Sequence, residues 1–212
     1  KPDWCLEPHI NEMLEYGTTR VEVGIQTLYD DILKKTNRGH TLQDSIKCTQ
    51  LMKDSLIKVT YHIMPGQPDV TEQMDIDSMQ ELFKNPDYKP DALKIYPCMV
   101  MKGTPLYKQW EKGLFKPITT EKAAEIIGES KKFIPKYCRI MRIQRDIPTY
   151  QTEAGVDRTN LRQYIQKYTK KHNIVCQCIR CREPFNKEVD FKHVKLTRKD
   201  YESSDGKEVF LS

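Results

Sequence analysis

Apolar positions along the first 150 residues follow two patterns that take turns. Segments with helical spacing, CLEPHINEMLEYG and TLQDSIKCTQLMKDS, are followed by runs rich in β-branched residues, TRVEVGIQT and LIKVTYHIMPG. Further on, DVTEQMDIDSMQELF and TTEKAAEIIGESKKF have helical spacing, while ALKIYPCMVMKG and YCRIMRIQR resemble strands. Thr41 is placed to cap the second helix. Strands separated by helices predict right-handed βαβ units, and therefore an α/β fold with a parallel sheet.

Polar residues and turn residues follow each predicted strand. They are Glu22, Gly24 and Gln26, then His62, Pro65 and Gly66, then Tyr96, Pro97 and Lys102, and finally Gln144, Arg145 and Asp146. Each has an ordinary structural explanation when taken alone, such as a turn or a paired carboxylate. Because ligands bind at the carboxyl ends of parallel strands, the full set predicts one shared binding site.

Composition limits the class of protein. The chain has 212 residues, of which 38% are hydrophobic, and it contains no apolar run long enough to span a bilayer. The opening residues KPDWCLEPH show neither a basic start followed by an apolar core nor a cleavage site for secretion. We therefore expect a soluble, cytoplasmic protein that does not bind membranes.

The formal charge of +5 is unevenly distributed along the chain. Residues 1–130 contain 16 Lys and Arg against 20 Asp and Glu, a net charge of −4, whereas residues 131–199 contain 18 against 6, a net charge of +12. Tyrosines are interspersed in the basic segment. Lys and Arg bind phosphates with release of counterions, and aromatic rings stack on unpaired bases, so the segment favours nucleic-acid binding. A solvated helix face is the alternative interpretation.

Three of the seven cysteines lie together in the stretch CQCIRC, at Cys176, Cys178 and Cys181. The spacing C-x-C-x2-C brings three thiolates close enough to share a tetrahedral ion, and zinc is the natural occupant. Flanking basic residues favour deprotonation of the thiols. A histidine (His172 or His193), a carboxylate or a solvent atom remains open as the fourth ligand. An iron–sulfur cluster is disfavoured because it normally takes four cysteines, and three reduced thiols without a metal are the remaining alternative.

Eight short strings connect the chain to a known family. VEVGIQT, NRGHT, YHIMPG, LKIYP, GTPLY, RIQRDIP, GVDRTNLRQ and CIRCRE, in this order and spacing, closely resemble the catalytic subunits of Elongator, and the archaeal stand-alone form in particular. These are radical S-adenosylmethionine enzymes that modify tRNA and carry an acetyltransferase domain. The resemblance implies part of a radical S-adenosylmethionine (β/α) barrel at 1–150, a basic linker with a zinc motif at 151–195, and the first hairpin of a GNAT acetyltransferase domain at 196–212.

The resemblance also assigns roles to residues at the predicted strand ends. Gln26, Arg38 and His62 match the residues that hold the ribose and carboxylate of S-adenosylmethionine, with Glu22 and Gly66 in the same site. An arginine fork suits a carboxylate, and an amide suits hydroxyls. The substrate side of the site is assigned to Tyr96, Lys102, Gln144 and Arg145, which are the expected catalytic residues.

The implied reaction is carboxymethylation of C5 of the wobble uridine in tRNA. It uses S-adenosylmethionine, a [4Fe-4S] cluster and acetyl-CoA. Phosphate contacts to tRNA are expected from seven basic residues: Arg139, Arg142, Arg158, Arg162, Lys167, Lys170 and Lys171. No cysteine triad for the cluster precedes Trp4, and the chain ends within the hairpin, so we expect a piece of a longer enzyme that is inactive alone.

Two other functions remain open on the sequence. One is a non-catalytic module that binds tRNA or assembles partners, and the other is a lysine acetyltransferase. For the implied enzyme, the resemblance is compatible with a homodimer or a complex with other Elongator-type subunits.

Overall fold

The computed structural model describes residues 1–144, 147 and 149–212. The α-helices are α1 (Glu7–Glu15), α2 (Asp30–Lys35), α3 (Leu42–Asp54), α4 (Glu72–Lys84), α5 (Pro105–Glu111), α6 (Thr120–Ser130), α7 (Leu161–Lys171) and α8 (Ile179–Arg182). The strands are β1 (Arg20–Gln26), β2 (Lys58–Ile63), β3 (Ala92–Ile95), β4 (Val100–Met101), β5 (Arg139–Ile143), β6 (Thr152–Ala154), β7 (Arg198–Ser203) and β8 (Gly206–Leu211). Among the described residues, no helix combines the length and apolar content that crossing a bilayer requires.

The main sheet has the order β1-β2-β3-β5, and all its strands are parallel. This confirms the α/β class and the alternation of strands and helices expected from the hydrophobic pattern. In register, Val21 lies beside Val59 and Tyr61 lies beside Leu93. Strands β4 and β6 form a separate antiparallel pair, and β7 and β8 form a hairpin.

One predicted strand is wrong in extent. The run ALKIYPCMVMKG forms two strands, β3 and β4, rather than one. Tyr96 still donates its backbone N–H to the Ile63 carbonyl, but Pro97 has no N–H to continue the ladder. Helices α2 and α5 are short and were not predicted from the pattern.

The core lies between the sheet and the helices that follow its strands. On the face of the sheet that packs against these helices, the side chains are fully buried, including Ile25, Tyr61 and Leu93. The opposite face is called the inner face. The predicted cap of α3 is confirmed, since the Thr41 hydroxyl accepts a hydrogen bond from Asp44 N at 3.2 Å and the Asp44 carboxylate accepts one from Thr41 N at 2.7 Å. The cap fixes where α3 begins.

The predicted hairpin packs against the body of the protein. The rings of Tyr137 and Tyr201 stack with centroids 3.9 Å apart and planes 7° from parallel. Lys53 Nζ pairs with Glu208 Oε1 at 3.2 Å, although the lysine side chain is only 5% exposed. An aromatic stack and an ion pair with a buried lysine therefore hold β7 and β8 in one position.

Helix α7 lies against α6 at a glycine. A Cβ built on Gly128 would lie 2.5 Å from Tyr168 Cδ1, closer than side-chain contacts allow. The Tyr168 hydroxyl donates a hydrogen bond to Glu129 at 3.0 Å, and its ring stacks on His172. Because the ring is held on two sides, it cannot easily move away from an added methyl group.

We expect Gly128→Ala to lower the free energy of unfolding by about 1–3 kcal/mol, since overpacking here outweighs the better helix propensity of alanine. Denaturant unfolding monitored by circular dichroism measures the change. In a Tyr168→Ser background, where the ring is gone, the same substitution should become neutral or stabilising. A loss of equal size in both backgrounds would show that the ring is not the cause.

Asp75 connects helix α4 to the loop after β2. Its carboxylate accepts a hydrogen bond from Gly66 N at 2.8 Å. Burial raises the pKa of Asp75 to about 7, and the bond from Gly66 opposes the rise only in part. The folded protein therefore holds this proton more tightly than the unfolded chain does.

Because the pKa of Asp75 is higher in the folded protein, this group stabilises the fold fully below its unfolded pKa of about 3.9. The stabilisation is lost as pH rises towards 7. We expect Asp75→Asn, which keeps an acceptor for Gly66, to abolish this loss. The free energy of unfolding of the variant minus that of the wild type should grow with pH by up to about 1.4 kcal/mol per unit. Asp77→Asn on the same helix is the control, and a flat difference for both variants would contradict the assignment.

Candidate functional site

The inner face of the parallel sheet carries charged side chains that contact one another. Glu22 Oε2 on β1 accepts hydrogen bonds from His62 Nε2 on β2 at 2.9 Å and from Lys94 Nζ on β3 at 2.5 Å. Burial acts to raise the pKa of Glu22, but the hydrogen bonds from Lys94 and His62 outweigh it, so the pKa lies below its usual value. Three neighbouring strands are thus bridged by one carboxylate.

Tyr96 and Arg142 extend this face. The Tyr96 ring meets the His62 ring edge-on with centroids 5.4 Å apart. Arg142 on β5 lies beside Lys94 in register. Lys94 was missed by the sequence reasoning, although the alternation in ALKIY places it on the same face as Tyr96.

Gln26 and Arg38 come together over Gly24. A Cβ on Gly24 would lie 2.9 Å from Gln26 Nε2 and 3.0 Å from Arg38 Nη2, so a larger residue there would displace the ends of these side chains. Arg38 Nη2 donates a hydrogen bond to the Gly24 carbonyl at 3.3 Å. Arg38 Nε is buried without a hydrogen-bond partner among the described residues. A half-buried guanidinium whose Nε is a spare donor is suited to an anionic group.

Two glutamines adopt left-handed backbone conformations at this end of the sheet. Gln26 has φ of 75° and Gln144 has φ of 72°, values that side chains with a Cβ rarely adopt. Both side chains are largely buried. The Gln144 Oε1 atom has no hydrogen-bond partner within the described part of the chain. Such strained residues are concentrated at functional sites.

Two cavities open at the carboxyl ends of the strands. One, of about 420 Å³, is lined by Gln26, Arg38, His62, Met64, Tyr96, Arg142 and Ile147. The other, of about 510 Å³, shares Gln26, Arg38 and Met64 with it and extends to Asn37, Cys98 and Leu106. Their size and mixture of apolar walls with convergent polar groups are typical of small-molecule sites.

Two of the residues expected at the site, Lys102 and Gly66, have other surroundings, and a third lies outside the described residues. Lys102 is exposed in the turn after β4. A Cβ on Gly66 would lie 2.7 Å from Ile118 Cδ1, so this glycine accommodates the packing of Ile118. Arg145 lies outside the described residues, as does the neighbouring Asp146.

The three clustered cysteines meet in space as the sequence predicts. The sulfur atoms of Cys176, Cys178 and Cys181 all lie within 4.8 Å of one another. Hydrogen bonds from Cys176 and Cys181 lower the pKa of Cys178. Cys178 is fully buried, whereas Cys181 is exposed. Three convergent sulfurs, one of them inclined to ionise, form a donor set that fits a thiophilic metal ion.

The cysteine cluster is fixed to the amino end of β5. Ile179 N donates to the Cys138 carbonyl at 3.0 Å, and Arg182 Nη2 donates to the Lys136 carbonyl at 2.8 Å. Arg139 forms an ion pair with Glu183. Helix α8 is therefore held against the strand end opposite the two cavities.

The seven residues expected to bind phosphates do not form one surface. Arg158, Lys167, Lys170 and Lys171 are exposed on α7 or just before it. Arg142 lines the smaller cavity, and Arg139 pairs with Glu183 at the other end of the sheet. Burial lowers the pKa of Arg162, and the three clustered cysteines act to raise it.

Comparisons with known proteins agree with this geometry. The Radical SAM superfamily model matches residues 2–82, and the Radical_SAM C-terminal domain model matches residues 90–171. The tRNA uridine(34) acetyltransferase of Methanocaldococcus jannaschii is 50% identical over 218 aligned residues, which cover all of this chain and 40% of that protein. Human Elongator complex protein 3 is 39% identical, again over all of this chain and 40% of the relative.

A solved structure has the same fold. The archaeal Elp3 of Methanocaldococcus infernus, with an N-terminal deletion, superposes with a TM-score of 0.95 at 49% identity, covering all of this chain and 51% of that one. The chain spans about two fifths of the length of the curated relatives it matches. On these matches, this chain belongs to the radical SAM superfamily and resembles the Elongator-type members of it that are named for tRNA modification.

Proposed function

We propose that this chain is the part of a tRNA-modifying radical S-adenosylmethionine enzyme that holds the cofactor and the tRNA. The proposed reaction is carboxymethylation of C5 of the wobble uridine. The observation that carries the proposal is that the candidate cofactor cavity and the basic helix lie in different places. A polar cavity lies at the carboxyl ends of the strands, and a separate basic helix, α7, lies on the surface. This arrangement allows phosphates to position the tRNA while one base enters the cavity.

Arg38 and Gln26 are the residues that we assign to S-adenosylmethionine. The spare Nε donor of Arg38 is suited to the amino-acid carboxylate, and the Gln26 amide is suited to the ribose hydroxyls. When bound, S-adenosylmethionine and a [4Fe-4S] cluster supply one-electron chemistry, and acetyl-CoA supplies the two-carbon unit. We assign neither the cluster nor acetyl-CoA to described residues of this chain.

The charged network on the inner face shapes the substrate side. Lys94 and His62 hold the Glu22 carboxylate in place. Tyr96 packs on His62 and presents its ring to the cavity. We propose Tyr96 and Gln144 as groups that contact the uridine, with Lys94 and His62 fixing the wall behind them.

Zinc is the metal that we propose for the cysteine cluster. Three sulfurs that converge within 4.8 Å support the assignment, and so do the cations around them. The site lies in a segment held at the amino end of β5, away from the cavities. We therefore assign it a structural role, in which the metal orients the basic segment.

Elemental analysis of the purified chain should find about one zinc per protein, because three thiolates and one further ligand complete a tetrahedral site. The triple variant Cys176→Ser, Cys178→Ser, Cys181→Ser should contain none and should melt at a lower temperature. Cys98→Ala, which removes a buried thiol far from the cluster, should keep the metal. Iron and sulfide that disappear with the same three cysteines would refute a zinc site.

The exposed basic residues of α7 and the segment just before it allow a test of tRNA binding. Replacing Arg158, Lys167, Lys170 and Lys171 by Gln should weaken the affinity for tRNA and flatten its salt dependence. If all four contact phosphates, the slope of log affinity against log salt should fall by about 3, at 0.7–0.9 per contact. Fluorescence anisotropy with labelled tRNA at several salt concentrations measures the slope.

The matched control neutralises four exposed lysines of the acidic region, Lys47, Lys84, Lys108 and Lys112. It changes the net charge by the same amount but should keep the slope close to that of the wild type. Equal effects of the two sets would mean that net charge, and not a site on α7, governs binding.

A further inference from the structure

A lysine is buried beside the cysteine cluster. Lys131 directly follows α6 and is only 4% exposed. Its Nζ atom donates a hydrogen bond to Cys181 Sγ over 3.5 Å. A buried ammonium is costly unless an opposite charge compensates it. The end of α6 contributes a favourable dipole, but that field acts on the backbone cap and does not require the side chain to point at sulfur.

A second cation, on another helix, is electrostatically coupled to the same sulfurs. Arg162 on α7 is half-buried, and all three cysteines act to raise its pKa while burial and Arg180 lower it. The end of α6 thus places one cation in contact with the cluster, and α7 carries a second that the sulfurs stabilise. Three neutral thiols would give these cations nothing to balance.

The charge of a metal–thiolate group suits the buried Lys131 ammonium. Three thiolates and one divalent ion carry a net charge of −1, which a single ammonium at hydrogen-bonding distance compensates. Cys181 is the exposed member of the three, so its sulfur gains most from a donor that fixes its position. Groups that bond to metal ligands orient them and tune the affinity of the site.

We propose that Lys131 is a positioning residue of the metal site, which compensates the charge of the metal–thiolate group and holds Cys181 in the ligating position. The inference rests on the zinc site proposed above. Lys131 also caps the end of α6, where its backbone N–H donates a hydrogen bond to the Ile127 carbonyl at 3.1 Å. Metal binding at the cluster and ordering of the end of α6 are then coupled.

The test compares Lys131→Met with Lys131→Arg and with Lys132→Met. Lys132 is the exposed neighbour, paired with Glu129, and serves as the matched control. Competition with a chromophoric chelator gives the zinc affinity, and the sulfur-to-cobalt charge-transfer band of the Co²⁺ form reports the geometry of the thiolates. We expect Lys131→Met to weaken zinc binding about 10–100-fold and to shift the cobalt spectrum. Lys131→Arg should recover most of the affinity, and Lys132→Met should match the wild type.

A purely structural lysine would behave differently. Replacing a purely structural lysine by Met would lower the stability of the metal-free protein. Replacing a charge-compensating lysine by Met should leave the metal-free protein as stable as before, or more stable. Melting curves with and without a chelator separate the two. Should Lys131→Met not fold, Lys131→Gln provides the same comparison.

The outcomes also distinguish the two proposals. A wild-type chain that binds no zinc, or a triple serine variant that binds it equally well, would refute the metal site itself. Normal zinc binding by the wild type together with unchanged affinity and spectrum in Lys131→Met would overturn only the role of Lys131.

Discussion

The alternation of side chains along four parallel strands separates the core of this protein from its candidate site. Residues such as Ile25, Tyr61 and Leu93 point towards the helices and are buried among apolar neighbours. On the same strands, Glu22, His62 and Lys94 occupy the other face, where one carboxylate pairs with two basic side chains. A one-residue change of register would exchange the faces and bury the charges. The apolar packing therefore also determines where the polar groups meet.

The end of β5 connects the remaining parts of the molecule to that sheet. The carbonyls of Lys136 and Cys138 accept hydrogen bonds from α8, and Arg139 forms an ion pair with Glu183 just after it. Tyr137 stacks on the terminal hairpin. The cavities open at the opposite ends of the strands. A change at the cysteine cluster would thus act on the site through the body of the sheet, and not by contact with a bound molecule.

Much of the fold could be predicted from the sequence because it depends on local patterns. Periodicity located the main helices and strands, and Thr41 marked the start of α3. The three cysteines could be grouped from spacing alone. Pairings between distant segments could not be predicted in this way. Lys131 counted only as a charge in the basic segment, and Arg162 was predicted as a phosphate contact; tertiary packing brings Lys131 to Cys181. The same limit applies to Arg139, whose partner lies 44 residues further along the chain.

The left-handed glutamines have a consequence for how this site can change. At Gln26 and Gln144 the backbone alone disfavours β-branched residues, and the Gln26 amide lines both cavities. Glycine would relax the backbone and remove the amide, and asparagine would keep both preferences but withdraw the amide by one methylene. At each position, a substitution that relieves backbone strain also removes the amide or moves it back by one methylene. Evolution towards another ligand at this site would have to proceed first through the neighbouring residues, whose backbones accept a wider choice of side chains.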